Sequence, residues 1–268
     1  MHERGQGEVG DRTVRVLELD SELGLGVPPD RLEEARASLV APHRAFAPGS
    51  WEVPHGQHGH TRLGFLLLAG FVARDVTLAG KTATELLGEG DIIPPPGSRT
   101  EDTLLRHKVV WHVLEPASVA VLDDRFARVL MDWPTVLSAL LEREVRRTSR
   151  MAIHQALLQL SPVETRLLLI FWHLAERWGR VSPAGITLRL RLPHHLLGRL
   201  VGCRRASVTT ALRHIYESGL VVKRADGTWL LRGSPPDELA HVHWDASGGR
   251  ARSRIAGMGH APAGIGQT

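Results

Sequence analysis

The stretch Leu200–Leu231, "LVGCRRASVTTALRHIYESGLVVKRADGTWLL", decides how the rest of the chain is read. Its apolar residues Val208, Ala211, Leu212, Ile215 and Tyr216 recur at the i, i+3, i+4, i+7, i+8 spacing of one helical face. The other face carries Arg205, Ser207, Thr209, Thr210 and Arg213. Gly202 precedes this helix and Gly219 ends it. Beyond lie "LVVKRA" and "TWLLR", joined by Asp226 and Gly227, a pair that favours a two-residue type I′ hairpin.

Upstream, "SPVE" at Ser161 predicts a helix start, with Ser161 as cap, Pro162 at the first helical position and Glu164 closing a capping box. The helix "VETRLLLIFWHLAERW" stops at Gly179, "VSPAGITLRLRL" reads as a short two-stranded element, and Pro193 starts a second helix, "PHHLLGRLV". Two short helices joined by a tight Gly-containing turn and followed by a hairpin make a winged helix-turn-helix over residues 161–233. That segment holds twelve Lys and Arg against four Asp and Glu, net +8. The whole chain is only +4, so the rest is net −4. Charge concentrated in one unit points to a polyanion partner for that unit.

A helix in the major groove needs a buried face, side chains for base edges at its N-terminal end, and flanking donors for phosphates. Arg205 suits a bidentate guanine contact, and Ser207, Thr209 and Thr210 are short enough to touch bases or backbone. Arg204, Arg213, Lys223, Arg224, His194 and His195 surround them as phosphate contacts, the histidines weakly because they are mostly neutral at pH 7. A lone basic amphipathic helix is usually a solvated face. The hairpin and the regional charge favour double-stranded DNA.

The period differs elsewhere. Residues 124–160 read as a long helix entered around Pro134, with Leu130, Trp133, Leu137, Leu140 or Leu141, Thr148, Met151, Gln155 and Leu158 near a 3.5-residue repeat. Its seam suits either packing on its own chain or a homodimer. Between residues 51 and 123, short apolar runs separated by Gly, Pro and charged residues imply an antiparallel sandwich or barrel, with a tight turn at "GEGD", Gly88–Asp91. Residues 1–50 read as an extension with one short helix around "PPDRLEEARASLV", and residues 234–268 as a flexible tail.

The β-rich half, the central helix and "LPHHLLGRLVGCRRASVTTALRHIYESGLV" together resemble the Crp/Fnr family of bacterial transcription regulators, from about Trp51 to Gly233. The resemblance implies an α+β fold: an N-terminal jelly roll like a cyclic-nucleotide-binding domain, a long dimerisation helix, and a C-terminal winged helix-turn-helix. It also implies a homodimer on palindromic DNA, with RNA polymerase as a candidate partner. Arg205, Ser207 and Val208 match the family's reading helix, but Ala206 stands where its base-contacting Glu would be and Thr210 where its Arg would be. Alanine cannot accept a hydrogen bond from cytosine, so a different target sequence is expected.

The family's cyclic-nucleotide binders follow the "GEGD" turn with a Gly-Glu-Leu segment and, later, an Arg-Ser or Arg-Thr pair. Here Pro94, Pro95 and Pro96, then His107 and Lys108, fill those places, which removes backbone donors and the ribose-binding carboxylate. Arg99 and Thr100 imitate the phosphate pair but read as loop. Cyclic AMP is therefore not expected, no cofactor is assigned, and the effector is unknown. Competing readings are a regulator gated by an unorthodox nucleotide, haem or metal, or a protein-interaction scaffold with a basic winged helix. His55, His58 and His60 offer a metal cluster, but solvated loop histidines are the favoured reading, and His112 is read as a strand histidine rather than a haem ligand.

Composition sets the outer bounds. The chain has 268 residues, 43% of them hydrophobic and 23% charged, as in ordinary globular proteins. Its one cysteine, Cys203, excludes an internal disulfide and a four-cysteine metal site. The start "MHERGQGEVGDR" has no apolar segment and "LGFLLLAGFVA" is too short to span a bilayer, so a cytoplasmic protein without membrane partners is expected. "AGK" at Ala79–Lys81 lacks phosphate-loop spacing, and no hydrolase or zinc-protease motif occurs, so no enzyme is expected.

Overall fold

A computed structural model describes residues 12–51, 63–95 and 104–234. The first elements are strand β1 (Thr13–Arg15), helix α1 (Val16–Leu19), a 3-10 turn at Ser21–Gly24, and helix α2 (Leu32–Ser38). Strands β2 (Val40–Phe46), β3 (Gly49–Trp51), β4 (Gly64–Leu78), β5 (Lys81–Leu87), β6 (Ile92–Ile93) and β7 (His107–Leu122) follow. They form one antiparallel network in the order β1-β2-β7-β4-β5, with β3 on β7 and β6 on β4.

The consecutive apolar run "FLLL" in β4 is buried on both faces, which is why it does not alternate with polar residues. Phe65 and Leu67 enter a core with Trp51, Val72, Leu87, Val113, Val119 and Val121 inside the rolled sheet. Leu66 and Leu68 enter a second core on the other face, with Leu17, Leu39, Ala120, Leu122, Phe126 and Trp133. The N-terminal helices are part of that second core, and β2 pairs with β7 from His43 opposite Ala120 to Phe46 opposite Ala117. The sheet thus begins inside the stretch expected to be an extension, because the apolar outer face of β4 and β7 needs a cover.

Ala79 and Gly80 form the two-residue β4–β5 hairpin turn, both at positive φ, with Leu78 opposite Lys81. "AGK" is a hairpin tip. In the "GEGD" turn, Asp91 accepts from the Gly88 amide at 2.9 Å, and Gly90 takes φ +85°. Gly88 tolerates no side chain: a Cβ there would lie 2.8 Å from the Trp178 indole nitrogen and 2.9 Å from the Phe71 ring.

The helical segment is divided. Helix α3 (Asp124–Leu130) is capped by Asp123, whose side chain accepts from the Phe126 amide, and helix α4 (Pro134–Leu157) begins at the predicted proline. The expected single seam splits between two faces. Leu130, Trp133 and Leu140 are buried, whereas Leu141, Thr148, Met151 and Gln155 are exposed. Arg147 takes an inward position instead, bound to Glu85 by two bonds of 2.6 and 2.9 Å.

The last unit comprises α5 (Val163–Trp178), β8 (Gly179–Ser182), β9 (Gly185–Leu188), α6 (His194–Leu200), α7 (Arg205–Glu217), β10 (Val221–Lys223) and β11 (Trp229–Leu231). The sheet order is β10-β11-β9-β8. Buried Trp229 anchors it, donating to the Leu190 carbonyl at 3.1 Å and meeting the Phe171 ring at 4.7 Å between centroids. The predicted capping box does not form. Pro162 occupies the cap position of α5, and Glu164 pairs with His214 at 3.2 Å, tying α5 to α7. Residues from 235 onward, including nearly all of the expected tail, lie outside the described residues. Among the described residues no helix is long and apolar enough to cross a membrane.

Candidate nucleic-acid interface

The turn between α6 and α7 is tight because two glycines allow it. The Cys203 amide donates to the Gly198 carbonyl at 2.9 Å, and a Cβ on Gly198 would sit 2.8 Å from the Cys203 carbonyl oxygen. Gly202 takes φ +66°, a conformation that favours glycine. The chain then enters α7 with Val208, Ala211, Leu212 and Ile215 buried, the face read from the sequence. Tyr216, expected on that face, lies at its exposed margin and stacks on Trp229.

Arg204, Arg205, Ala206, Ser207, Thr209, Thr210 and Arg213 are exposed on the opposite side. Arg204 is the cap residue in extended conformation, and its side chain makes no cap hydrogen bond. The N-terminus of α7 thus presents open N–H groups and the positive end of its dipole. Arg205 is the first helical residue, so its side chain projects from that end. Among the described residues neither Arg204 nor Arg205 forms an ion pair. The threonines are more committed: Thr209 donates to the Arg205 carbonyl at 3.1 Å and meets His194 Nδ1 at 3.0 Å, and Thr210 approaches the Ala206 carbonyl at 3.4 Å.

The histidine and the hairpin complete the patch. Burial, then the charges of Lys223 and Arg205, push the His194 pKa below its ordinary value, so the three share one neighbourhood. His195 and Lys223 are exposed, and the Lys223 ammonium lies 5.4 Å from the Trp229 ring centroid. Arg224 lies in the hairpin loop with its amide bonded to the Thr228 carbonyl at 2.8 Å. The loop differs from the two-residue turn expected. Gly227 donates back to the Arg224 carbonyl and takes φ +85°, while Asp226 keeps negative φ, which makes a three-residue loop ending in a glycine bulge. Asp226 accepts from the Thr228 amide and hydroxyl, which hold its carboxyl below the usual range. Arg213 lies 3.9 Å from exposed Glu217.

The residues expected to mark a degenerate ligand pocket are not brought together. Ile93, next to Pro94 and Pro95, pairs with Phe65 at one end of β4, whereas Lys108 and His107 pair with Thr77 and Leu78 at the other. Pro96, Arg99, Thr100, His55, His58 and His60 lie outside the described residues. No cluster of metal-ligating side chains occurs among the described residues. His112 sits on β7, 3.5 Å from Asp75.

Sequence reasoning missed the arginine–carboxylate set that fastens the sheet to the helices. Arg150 and Arg177 both meet Asp91, at 3.2 and 2.7 Å, and Arg199 of α6 meets Asp75 of β4. These partners lie 59 to 124 positions apart, beyond any local pattern. The usable signal was the spacing of Arg143, Arg147 and Arg150 along one side of α4.

No family model matches the chain, and no curated protein matches it in sequence. Solved structures do. A CooA mutant from Carboxydothermus hydrogenoformans is 18% identical, covering 84% of this chain and 94% of that one, with a TM-score of 0.57. A transcriptional regulator of the CRP family from Thermus thermophilus is 21% identical, covering 70% and 91%, with a TM-score of 0.52. A cyclic nucleotide-binding domain containing protein from Listeria monocytogenes is 14% identical, covering 80% and 97%, with a TM-score of 0.59. The chain has the fold of the Crp/Fnr transcription regulators, with a rolled sheet, a central helix and a winged helix in that order.

Proposed function

We propose that the protein is a homodimeric, sequence-specific DNA-binding transcription regulator whose sensor half does not bind cyclic AMP. The carrying observation is the uncapped N-terminus of α7 with exposed Arg204, Arg205 and Ser207, flanked by His194, His195 and Lys223. Open amides and guanidinium groups there suit a phosphate backbone and a guanine edge. Arg213 and Arg224 extend the positive surface along the helix and the wing, and Thr209 and Thr210 fix its shape through backbone bonds. The missing carboxylate at Ala206 favours a target other than the family's usual one.

The dimer reading rests on α4. Leu141, Val145, Thr148, Ala152 and Ala156 form an exposed stripe opposite the buried residues Val136, Leu140 and Arg147. Leu141 is 59% and Val145 65% exposed, apolar surface that a second copy would cover. Two reading helices would then stand about 34 Å apart on one face of the duplex.

The test is binding to a DNA duplex across a salt series. Neutralised phosphates release counterions, so affinity should fall steeply and linearly in log-log form. Affinity that ignores salt would favour the scaffold reading, in which the winged helix contacts protein.

A further inference from the structure

A second polar site lies away from the reading helix, in a cavity of about 50 Å³ between the β5–β6 turn, α4, α5 and the end of α6. Arg147, Arg150, Arg177, His173, Glu85 and Asp91 are among its polar lining, beside apolar side chains. The charges do not balance at every point. Glu85 neutralises Arg147 through two bonds. Asp91 must serve both Arg150 and Arg177 while also accepting from the Gly88 amide. Glu144, outside the lining, stands 3.5 Å from Arg147 and its carboxyl is pushed up by burial, so it adds to the pair that is already matched.

Arg150 thus shares its carboxylate with Arg177, which leaves two cations on one anion. Burial and the neighbouring Arg177 charge both lower its pKa, opposing a charge that it nonetheless carries. His173 adds a hydrogen-bond donor and not a further cation. His173 is pushed down to about 4 by burial and by His154 and Arg150, which leaves a neutral ring able to give one hydrogen bond. His154 Nε2 is held by the Leu200 carbonyl at 2.7 Å. One water needs about 10–15 Å³ of such space, so the cavity takes on the order of four oxygen-sized groups, the size of a tetrahedral oxyanion. Apolar walls strengthen the attraction of guanidinium for such an anion.

We propose that this cavity is a binding site for a small tetrahedral oxyanion, inorganic phosphate in its simplest form, held by Arg150 and Arg177 with His173 as a hydrogen-bond donor. The site sits where the sheet, α4 and α5 meet. It does not depend on DNA reading, and its binding is measured without DNA.

The experiment is calorimetric titration of the full chain with sodium phosphate against sodium chloride at equal ionic strength, pH 7.5, with glycerol phosphate as a second arm. Saturable binding of phosphate that chloride does not reproduce is expected, with glycerol phosphate weaker because the cavity has no room for the ester. Equal or tighter binding of glycerol phosphate would overturn the free-anion assignment. Arg150→Gln should weaken phosphate at least about tenfold, and Arg205→Ala, which removes an anion contact on the reading face, should leave it unchanged. Binding lost in Arg205→Ala and kept in Arg150→Gln, or no binding beyond chloride, would overturn the proposal. Should Arg150→Gln not fold, tungstate diffused into crystals of the unaltered chain decides: anomalous signal within contact of Arg150 and Arg177 supports the site, and its absence there refutes it.

Discussion

Arg177, near the end of α5, donates to Asp91 across 2.7 Å, so one carboxylate in a sheet turn fastens the winged-helix unit to the sheet. The same carboxylate takes Arg150 of α4 and the Gly88 amide. Edge-to-face contact of Phe71 with Trp178, centroids 5.1 Å apart, lies beside it. Replacing Asp91 with Asn keeps the shape and removes the charge, leaving two partly buried guanidinium groups without their partner. The expected loss is about 2–4 kcal/mol, below the full range for buried pairs because both arginines keep some solvent. Denaturant unfolding of Asp91→Asn against the parent chain measures it.

His173 gives the fold a pH dependence of defined sign. Its folded-state pKa of about 4 lies below the ordinary 6.5 because burial, then the neighbouring His154 and Arg150, disfavour the charged ring. The unfolded chain takes up a proton below 6.5 that the folded one refuses. The stabilisation is therefore complete above pH 6.5 and is lost as the pH falls from 6.5 towards 4, by about 3 kcal/mol at most. His173→Gln should flatten the stability profile in that window and leave it unaltered near pH 8.

Val145, exposed in the outward stripe of α4, separates dimerisation from folding. Val145→Glu places like charges opposite each other in a two-fold seam while disturbing no buried contact within one chain. Sedimentation should show a monomer with near-parental unfolding behaviour, and DNA affinity should fall by at least about a hundredfold as the second half-site is lost. A dimer that persists would place the contact elsewhere.

Arg205 and Lys223 differ in kind. Arg205→Ala should cost about 1–3 kcal/mol at one base position and relax preference there. Lys223→Ala should weaken all duplexes alike and lower the salt slope by about one. Fluorescence anisotropy on a target and on single-position variants separates the two patterns.

Much of this architecture is written in short-range periodicity. Val208, Ala211, Leu212 and Ile215 announce one buried face of α7, and Gly202 and Pro193 mark the turn and helix start that aim it. The run in β4 is legible as a strand, but its cover on the second face comes in part from residues 1–50, which read as an extension. What stays hidden depends on distant partners. Adjacent leucines Leu140 and Leu141 both fit a helical seam, and only the N-terminal cover of the sheet decides that Leu140 turns inward. Glu85 and Arg147 lie 62 positions apart, so their two-bond pair leaves no spacing to read. His107 and Pro94 are close in sequence order yet sit at opposite ends of β4, one at the start of β7 and the other beside β6.

The central claim is that two copies of α7 read a palindromic DNA site. The direct measurement is selection of bound duplexes from a random pool by the purified full chain, followed by sequencing. Enriched palindromes with half-site centres about 10–10.5 base pairs apart are the predicted result. Recovered DNA with no shared sequence, or binding that leaves the pool unchanged, would contradict the account.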